Sequence, residues 1–226
     1  MKTRFAILST IAFALAASAF GQDYSLSLDL TFDTKYVFRG QQLADNVFHP
    51  SIEFAQDDFY LGLWASQPLE NRGWPERWQD EVDFYGGYGW AINEKTSFDI
   101  GGAYYYYPTG ENTIEPYIGI TREIQGVEAS VYLYRDLDLD RTTAEGSANY
   151  SLPLGGNASV DLGAHVGTVD ADSLGSYFYY GADVVVPFEL NNNAVFSLGV
   201  HYSDNDIGFL IPDNHFHGST SITIGF

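Results

Sequence analysis

Acidic side chains recur at alternate positions of extended stretches, and this spacing is the first hint of chemistry in the chain. In the stretch YSLSLDLTFDTKYVFRG (24–40), Asp29, Asp33 and Lys35 occupy odd positions, whereas the even positions are mostly apolar. Because successive side chains of a strand point to opposite faces, one face of this segment is apolar and the other carries charge. The charged face could attract cations or line a wet passage.

The same alternation continues along the chain and assigns one set of charged side chains to a single inner face. We predict that this face carries Asp29, Asp33, Lys35, Arg39, Glu53, Glu81, Asp83, Asp99, Glu115, Glu128, Glu145, Asp161 and Asp183. The histidines of the same parity are His49, His165, His201 and His217. Carboxylates dominate this set, so a passage that it lined would favour cations.

Twelve alternating runs position these residues, and no helical period is evident between 24 and 226. The predicted short turns are 57–58, 91–95, 123–126, 155–157 and 189–193, and the predicted longer loops are 39–45, 66–79, 108–113, 136–142, 169–176 and 203–215. This pattern predicts an all-β fold, a transmembrane antiparallel up-and-down β-barrel of about 12 strands. A soluble sandwich of two sheets is the alternative.

The first residues indicate export. A basic start with Lys2 and Arg4 precedes the apolar run FAILSTIAFALAA and a group of small residues. This predicts a signal peptide over 1–21, cleaved after Ala19 or Gly21. A membrane anchor is the alternative, but the run is shorter than the roughly 20 residues that a span requires.

The composition of the remaining domain, 22–226, limits which classes of partner it can bind. Loss of Lys2 and Arg4 leaves eight of ten basic residues against 30 acidic ones, a net charge of −22. Such a charge repels phosphates and excludes nucleic acid as a partner. The 17 Tyr, 16 Phe and 4 Trp indicate a folded chain, and the absence of cysteine excludes disulfides and thiolate metal sites.

Aromatic residues should mark both membrane interfaces of such a barrel. On the predicted lipid face, those toward the longer loops are Tyr36, Phe38, Tyr104, Tyr106, Phe178, Tyr180 and Tyr202, and those toward the short turns are Trp90, Phe98, Phe188, Phe196 and Phe226. The final strand STSITIGF resembles the signal that the bacterial barrel-assembly machinery reads. We therefore predict an outer-membrane location, with outer-membrane lipid and that machinery as partners.

Two further patterns test for metal or hydrolytic chemistry. DLDLDR (136–141) begins like a calcium loop, but Arg141 stands where the loop needs Gly and Ser147 where it needs Glu. The acidic loops could still hold divalent ions beside lipopolysaccharide phosphates, or form a solvated rim. The outer face has almost no Ser or His, which argues against a lipid hydrolase. No enzymatic activity or cofactor is predicted.

The longest loop, 66–79, combines Arg72, Trp74, Arg77 and Trp78. Aromatic and Arg side chains are typical binding anchors, so the loop could bind a partner outside the cell. It could equally fold into the barrel mouth and act as a gate.

Several segments resemble the TorF-like porins, also known as the Gcw_chp-type family of unknown function. The residues that carry the resemblance are Tyr36, Val37, Phe38, Arg39, Gly40, Phe59, Tyr60, Gly62, Trp64, Ser66, Glu81, Asp83, Tyr85, Gly87, Tyr88, Asp99, Gly101, Tyr105, Tyr107 and Pro108. The resemblance covers 24–120 well and becomes diffuse beyond, and Gln41-Gln42 replaces an aliphatic residue and Ser. It implies an outer-membrane barrel that forms a pore.

Twelve tilted strands give a backbone diameter of roughly 24 Å, which leaves a lumen on the order of 10 Å between inward side chains. We predict a channel for passive diffusion of small cationic or neutral solutes. The alternative is a plugged structural or adhesive barrel that acts through its extracellular loops.

Overall fold

The computed structural model describes residues 24–69, 80–171, 175–207 and 214–226. The strands in these ranges are β1 (Tyr24–Phe38), β2 (Gln41–Gln56), β3 (Phe59–Pro68), β4 (Glu81–Asn93), β5 (Thr96–Tyr106), β6 (Thr113–Ile124), β7 (Val127–Asp136), β8 (Arg141–Gly155), β9 (Ala158–Ala171), β10 (Gly175–Asn191), β11 (Ala194–Asn205) and β12 (Asn214–Gly225). No helix long and apolar enough to cross a bilayer occurs in the described ranges. The predicted signal peptide lies outside them.

The twelve strands form one closed barrel in which every neighbouring pair is antiparallel. Each strand pairs with the next in sequence, and β1 closes the ring by pairing with β12. At the seam the amide of Phe226 donates to the carbonyl of Leu26 at 2.8 Å. Closure leaves no unpaired strand edge, as a bilayer requires, and confirms the predicted up-and-down barrel.

The two faces of the barrel differ as the alternation predicted. On β6, Ile114 and Ile118 are 48% and 46% exposed on the outside, whereas Glu115 and Tyr117 are 2% and 7% exposed on the inside. The other strands expose Leu, Val, Ile and Phe outward in the same way. The outer face is therefore apolar over its whole circumference, which excludes the sandwich, since a sandwich would bury that face.

The connection between β1 and β2 differs from the prediction. We expected a loop over 39–45, but Arg39 and Gly40 alone join the two strands. Both adopt a left-handed backbone, with φ of 48° and 77°, which lets the chain reverse within two residues. The polar run after Gly40 has no clear alternation, so its strand character was not visible in the sequence.

An irregular register next to this turn corrects a second prediction. Tyr36 pairs with Ala44 but Val37 pairs with Gln42, so Leu43 is an extra residue in β2. Such a bulge reorients the side chains near it. Tyr36 and Phe38, which we placed on the lipid face, line the interior instead.

The remaining predicted aromatics are consistent with two outer girdles. Toward the longer loops, Tyr104 and Tyr180 are 37% and 44% exposed. Toward the short turns, Trp90 stacks on Phe98 with ring centroids 5.7 Å apart. Aromatic rings at both rims are typical of barrels that span a bilayer.

Inward tyrosines pack over glycines of the neighbouring strand. The cross-strand pairs are Gly62–Tyr85, Gly87–Tyr60, Gly101–Tyr117, Gly119–Tyr132 and Gly167–Tyr179. In each pair a Cβ on the glycine would overlap the tyrosine ring or hydroxyl. Glycine therefore allows the ring to lie flat along the wall, and the ring covers a strand position that has no side chain.

We expect Gly119→Ala to destabilise the barrel by about 1–3 kcal/mol, because its methyl group would overlap the ring of Tyr132. Urea unfolding in lipid vesicles measures the effect. Gly102→Ala is the matched control, since its nearest neighbours would lie at an ordinary 3.5 Å. In a Tyr132→Ala background the Gly119→Ala penalty should vanish, and an unchanged penalty there would contradict this packing.

Candidate functional site

The interior of the barrel contains a cavity of about 690 Å³. It runs from Ser27 and Thr223, near the short turns, to Arg39 and Gly40 at the turn between β1 and β2. The four histidines predicted to face inward all line it, which confirms their orientation. The cavity is therefore the place where the predicted inner-face residues meet.

Ten of the thirteen predicted charged residues line this cavity: Asp29, Asp33, Lys35, Arg39, Glu53, Glu115, Glu128, Glu145, Asp161 and Asp183. Eight of these are carboxylates and two are bases. One of the bases, Arg39, is already paired with Glu115. The cavity wall thus has a large excess of negative charge, which attracts cations and repels anions.

Glu81, Asp83 and Asp99 differ from the expectation that they would line the passage. They lie inside the barrel but are only 2%, 0% and 3% exposed, and they do not reach the cavity. Glu81 accepts hydrogen bonds from the hydroxyls of Tyr36 at 2.9 Å and Tyr107 at 2.5 Å.

Asp99 is bound within the wall in a similar way, because it accepts a hydrogen bond from Tyr60 at 3.0 Å. The hydroxyl of Tyr60 also contacts that of Tyr117. Tyrosine hydroxyls therefore bind the Glu81 and Asp99 carboxylates inside the wall. Strand parity shows which acids point inward but not which of them a tyrosine covers.

Tyr107, one of the donors to Glu81, lies just after β5. Burial together with the nearby Glu81 carboxylate raises the pKa of Tyr107, so its hydroxyl stays a neutral donor.

The hairpin of β1 and β2 folds across the end of the lumen nearest the longer loops. Arg39, at its tip, reaches Glu115 on β6, and β6 is separated from β1 by four strands even on the shorter way round the ring. Arg39 Nη1 and Nη2 donate to Glu115 Oε1 and Oε2, each at 2.7 Å. The tip therefore spans the barrel to the opposite wall.

The environment of Arg39 keeps this contact charged. Burial by itself would lower the pKa of Arg39, but the Glu115 carboxylate outweighs it and raises the pKa well above its ordinary value. The guanidinium also lies over the rings of Phe38 and Tyr134, 4.7 Å and 4.9 Å from their centroids. Tyr105 donates to the same carboxylate at 3.0 Å. A paired, aromatic-sheltered guanidinium of this kind is firmly held.

Two further contacts hold the hairpin against another part of the wall. The carbonyl of Gly40 accepts a hydrogen bond from Asn205 Nδ2 at 2.6 Å, and Gln41 Nε2 donates to the hydroxyl of Tyr177 at 2.8 Å. A Cβ at Gly40 would lie 2.7 Å from the Cβ of Tyr179. Only glycine allows this close approach, and the hairpin thereby spans the lumen and contacts β6, β10 and β11.

The loop residues that we predicted as a gate or adhesive surface, Arg72, Trp74, Arg77 and Trp78, lie outside the described residues. The acidic loop that we predicted over 136–142 is a tight turn over 137–140, between β7 and β8, and its carboxylates have separate partners. Asp136 Oδ1 accepts from the amides of Asp138 and Leu139 at 3.0 Å and 2.7 Å. Asp140 pairs with Arg135. In the described ranges no group of three or more His, Asp or Glu side chains is placed to hold a metal ion.

A closed, all-antiparallel ring of twelve strands, apolar outside and acidic within, defines the outer-membrane β-barrel class. The chain belongs to the Gcw_chp family, described as bacterial proteins of unknown function, whose model matches residues 16–211. The Gcw_chp part of the predicted resemblance is thereby confirmed. The description assigns no activity, so the porin part stays a prediction.

Solved structures share this fold at low sequence identity. The KdgM porin is 11% identical, with a TM-score of 0.62 over 88% of this chain and 99% of that one. The NanC porin is 9% identical, with a TM-score of 0.58 over 88% and 98%. The COG4313 outer membrane channel from Pseudomonas putida F1 is 10% identical, with a TM-score of 0.55 over 92% and 97%. No curated protein matches the chain.

Proposed function

We propose that this protein is an outer-membrane channel for the passive diffusion of small cationic or neutral solutes. The observation that carries the proposal is the acidic cavity of about 690 Å³ inside a ring whose outside is apolar. Carboxylates in a narrow, low-dielectric lumen raise the local concentration of cations. The porins and the channel that share the fold add support, and diffusion itself requires neither a cofactor nor a catalytic step.

The proposed function also implies which partners the protein contacts in the outer membrane. The apolar outer face fits outer-membrane lipid, and the acidic rim fits divalent ions bridged to lipopolysaccharide. Phe226 is 67% exposed at the end of the last strand, where the barrel-assembly machinery could bind it. Export to the outer membrane requires a signal such as the one predicted over 1–21.

The hairpin of β1 and β2 favours the alternative, a plugged barrel that acts through its loops. Arg39, Gly40 and Gln41 hold it against three different strands, so the hairpin obstructs the path of a solute through the lumen. We propose that the hairpin is displaced during conduction, because the hydrogen bonds that join it to the far wall are concentrated at Arg39, Gly40 and Gln41, next to its turn.

Removing lumen charge tests the proposed selectivity. We expect the triple variant Glu53→Gln, Glu128→Gln and Asp161→Asn to lower the permeability ratio of potassium over chloride. All three side chains line the cavity, and their negative charges would no longer concentrate cations there. The ratio is obtained from the reversal potential of the purified barrel in planar bilayers under a salt gradient.

The matched control removes the same number of charges outside the lumen. Glu94, Glu111 and Glu189 are exposed in or beside the connections between strands, and their change to Gln should leave the ratio nearly unchanged. Equal shifts in the two variants would show that net charge, and not the lumen, sets selectivity. A bilayer that stays silent with every variant would instead support the plugged alternative.

A further inference from the structure

A hydrogen-bonded chain of three side chains lies on the lumen wall, across three neighbouring strands. Asp183, His201 and Ser219 come from β10, β11 and β12, and all three line the cavity. His201 Nδ1 lies 2.7 Å from Asp183 Oδ1, and His201 Nε2 lies 2.8 Å from Ser219 Oγ. The imidazole therefore joins a carboxylate on one side to a hydroxyl on the other.

Strand register explains how the three residues meet. Asp183 pairs directly with His201, and Ser219 pairs with Gly199, two residues before that histidine. Gly199 is required for this arrangement, because a Cβ there would overlap Ser219 Oγ and lie 2.6 Å from His201 Nε2. Parity shows only that these residues face inward, whereas the pairing of β10, β11 and β12 brings them into contact.

Neighbouring imidazoles hold the central ring and the carboxylate in place. His217 stacks on His201 with centroids 4.8 Å apart. His165 Nδ1 lies 3.6 Å from Asp183 Oδ2, the oxygen that His201 does not contact. The carboxylate thus faces two imidazoles, and the plane of His201 is fixed from the side. A ring fixed in this way keeps Nε2 directed at the hydroxyl.

This is the arrangement by which a hydroxyl becomes a nucleophile. A carboxylate on Nδ1 sets the tautomer of the imidazole, and Nε2 then takes the hydroxyl proton as the oxygen attacks an acyl carbon. Both distances fall within the range of about 2.6–3.2 Å that proton transfer requires. Among the described residues, this chain of side chains lies on the lumen side of the barrel, where all three members line the cavity.

We propose that Ser219, His201 and Asp183 form an acyl-transfer site that hydrolyses carboxylic esters entering the lumen. Ser219 Oγ forms a bond to the ester carbonyl carbon while its proton moves to His201 Nε2. The alcohol then leaves, taking that proton as its C–O bond breaks. Water attacks the acyl-serine, gives a proton to His201 and releases the acid, and the proton returns to Ser219. Asp183 is a positioning residue.

The surrounding charges define the substrate class. Asp33 pairs with Ser219 across the seam of β1 and β12, so an anionic ester would be repelled. Lys35 follows two residues later and lines the same cavity, and in this proposal it is the cationic group that would stabilise the oxyanion formed during attack. The cavity volume of about 690 Å³ limits the substrate to a small molecule. Small neutral or cationic esters fit these constraints.

The experiment exposes the folded, full-length barrel in detergent to a neutral fluorophosphonate probe, and peptide mapping then locates the label. Attack by Ser219 Oγ forms an O–P bond, fluoride leaves and His201 takes the proton. We expect label on Ser219, none in Ser219→Ala, and a labelling rate about 100-fold or more lower in His201→Gln, which loses the general base.

Ser221→Ala is the matched control, because Ser221 lines the same cavity two residues further along β12. It should label at the rate of the unchanged protein. Heat-dependent gel mobility verifies that each variant is folded, so loss of label cannot come from unfolding. Equal labelling of several lumen serines, or no label on the folded barrel, would overturn the proposal.

Measuring the conductance of the same preparation distinguishes the proposed ester site from the proposed channel. A barrel that conducts cations but takes no label rejects the ester site and leaves the proposed channel standing. A barrel that takes label at Ser219 but does not conduct supports the ester site and rejects the channel. Hydrolysis of 4-nitrophenyl acetate by the unchanged protein, and its loss in Ser219→Ala, would show that the site turns over an ester as well as reacting with the probe.

Discussion

Arg39→Ala should increase the current through the barrel more than any other single change in the lumen. The two 2.7 Å bonds from Arg39 to Glu115 attach the hairpin tip to the opposite wall. A charged hydrogen-bonded pair contributes about 1.5–3 kcal/mol. Its loss should raise the population of the displaced hairpin, and with it the open probability, on the order of 10-fold or more.

Single-channel recording of Arg39→Ala in planar bilayers measures this effect. Arg135→Ala is the control, since Arg135 also pairs with a carboxylate, Asp140, but is exposed at the rim. The control should behave like the unchanged protein. If Arg39→Ala left open probability and conductance unchanged, the hairpin would not be the element that closes the lumen, and the undescribed segment 70–79 would become the next candidate.

Ala148→Arg should destabilise the barrel by about 2–4 kcal/mol, because arginine at the bilayer midplane is costly on the lipid face. Ala148 lies in the middle of β8, is exposed outward, and pairs with Ala129 and Ala164 on the two adjoining strands. The free energy of unfolding in lipid vesicles, measured by urea titration, gives the change directly.

Asn149→Arg provides a control only one residue away on the same strand. Asn149 lines the cavity, where an added guanidinium would meet water and an excess of carboxylates. We expect its effect on stability to be small. Equal losses for the two variants, or a larger loss at Asn149, would mean that the assignment of inside and outside is reversed or that the apolar face does not meet lipid.

Much of the fold follows from the sequence because strand parity is a local property. β6 shows this well: Thr113, Glu115 and Tyr117 point inward and Ile114 and Ile118 outward, as the alternation predicts. The number of strands, their closure and the direction of the histidines were all accessible in this way. A barrel with one apolar face fixes register strongly, since a slip of one residue would reverse every side chain.

The sequence could not predict the hairpin across the lumen. Leu43 is an extra residue in β2, and Arg39 and Gly40 turn the chain through left-handed conformations. Neither the extra residue nor the left-handed turn leaves a periodic pattern in the sequence. The contact between Arg39 and Glu115 joins residues far apart in the chain. The residues that carry the family resemblance include Tyr36, Arg39, Glu81, Tyr105 and Tyr107, and these meet in the network around this hairpin.

The sequence predicted the direction of the lumen side chains but not their contacts. Parity showed which acids face inward, but not that Tyr36, Tyr60 and Tyr107 would cover Glu81 and Asp99. It also could not show that Ser219 and His201 would be neighbours, because that depends on the register between β11 and β12. Side-chain direction is set locally, whereas contact across strands is set by the whole ring.

The most direct test of the channel is the reversal potential of the unchanged protein in a planar bilayer that separates concentrated from dilute potassium chloride. The cavity wall carries eight carboxylates and two basic side chains, Lys35 and Arg39, and Arg39 is already paired with Glu115. Because negative charge is in excess, we predict a reversal potential close to the potassium equilibrium value. A potential displaced toward the chloride equilibrium value would contradict the account, because no acidic lumen of this composition should pass anions in preference to cations.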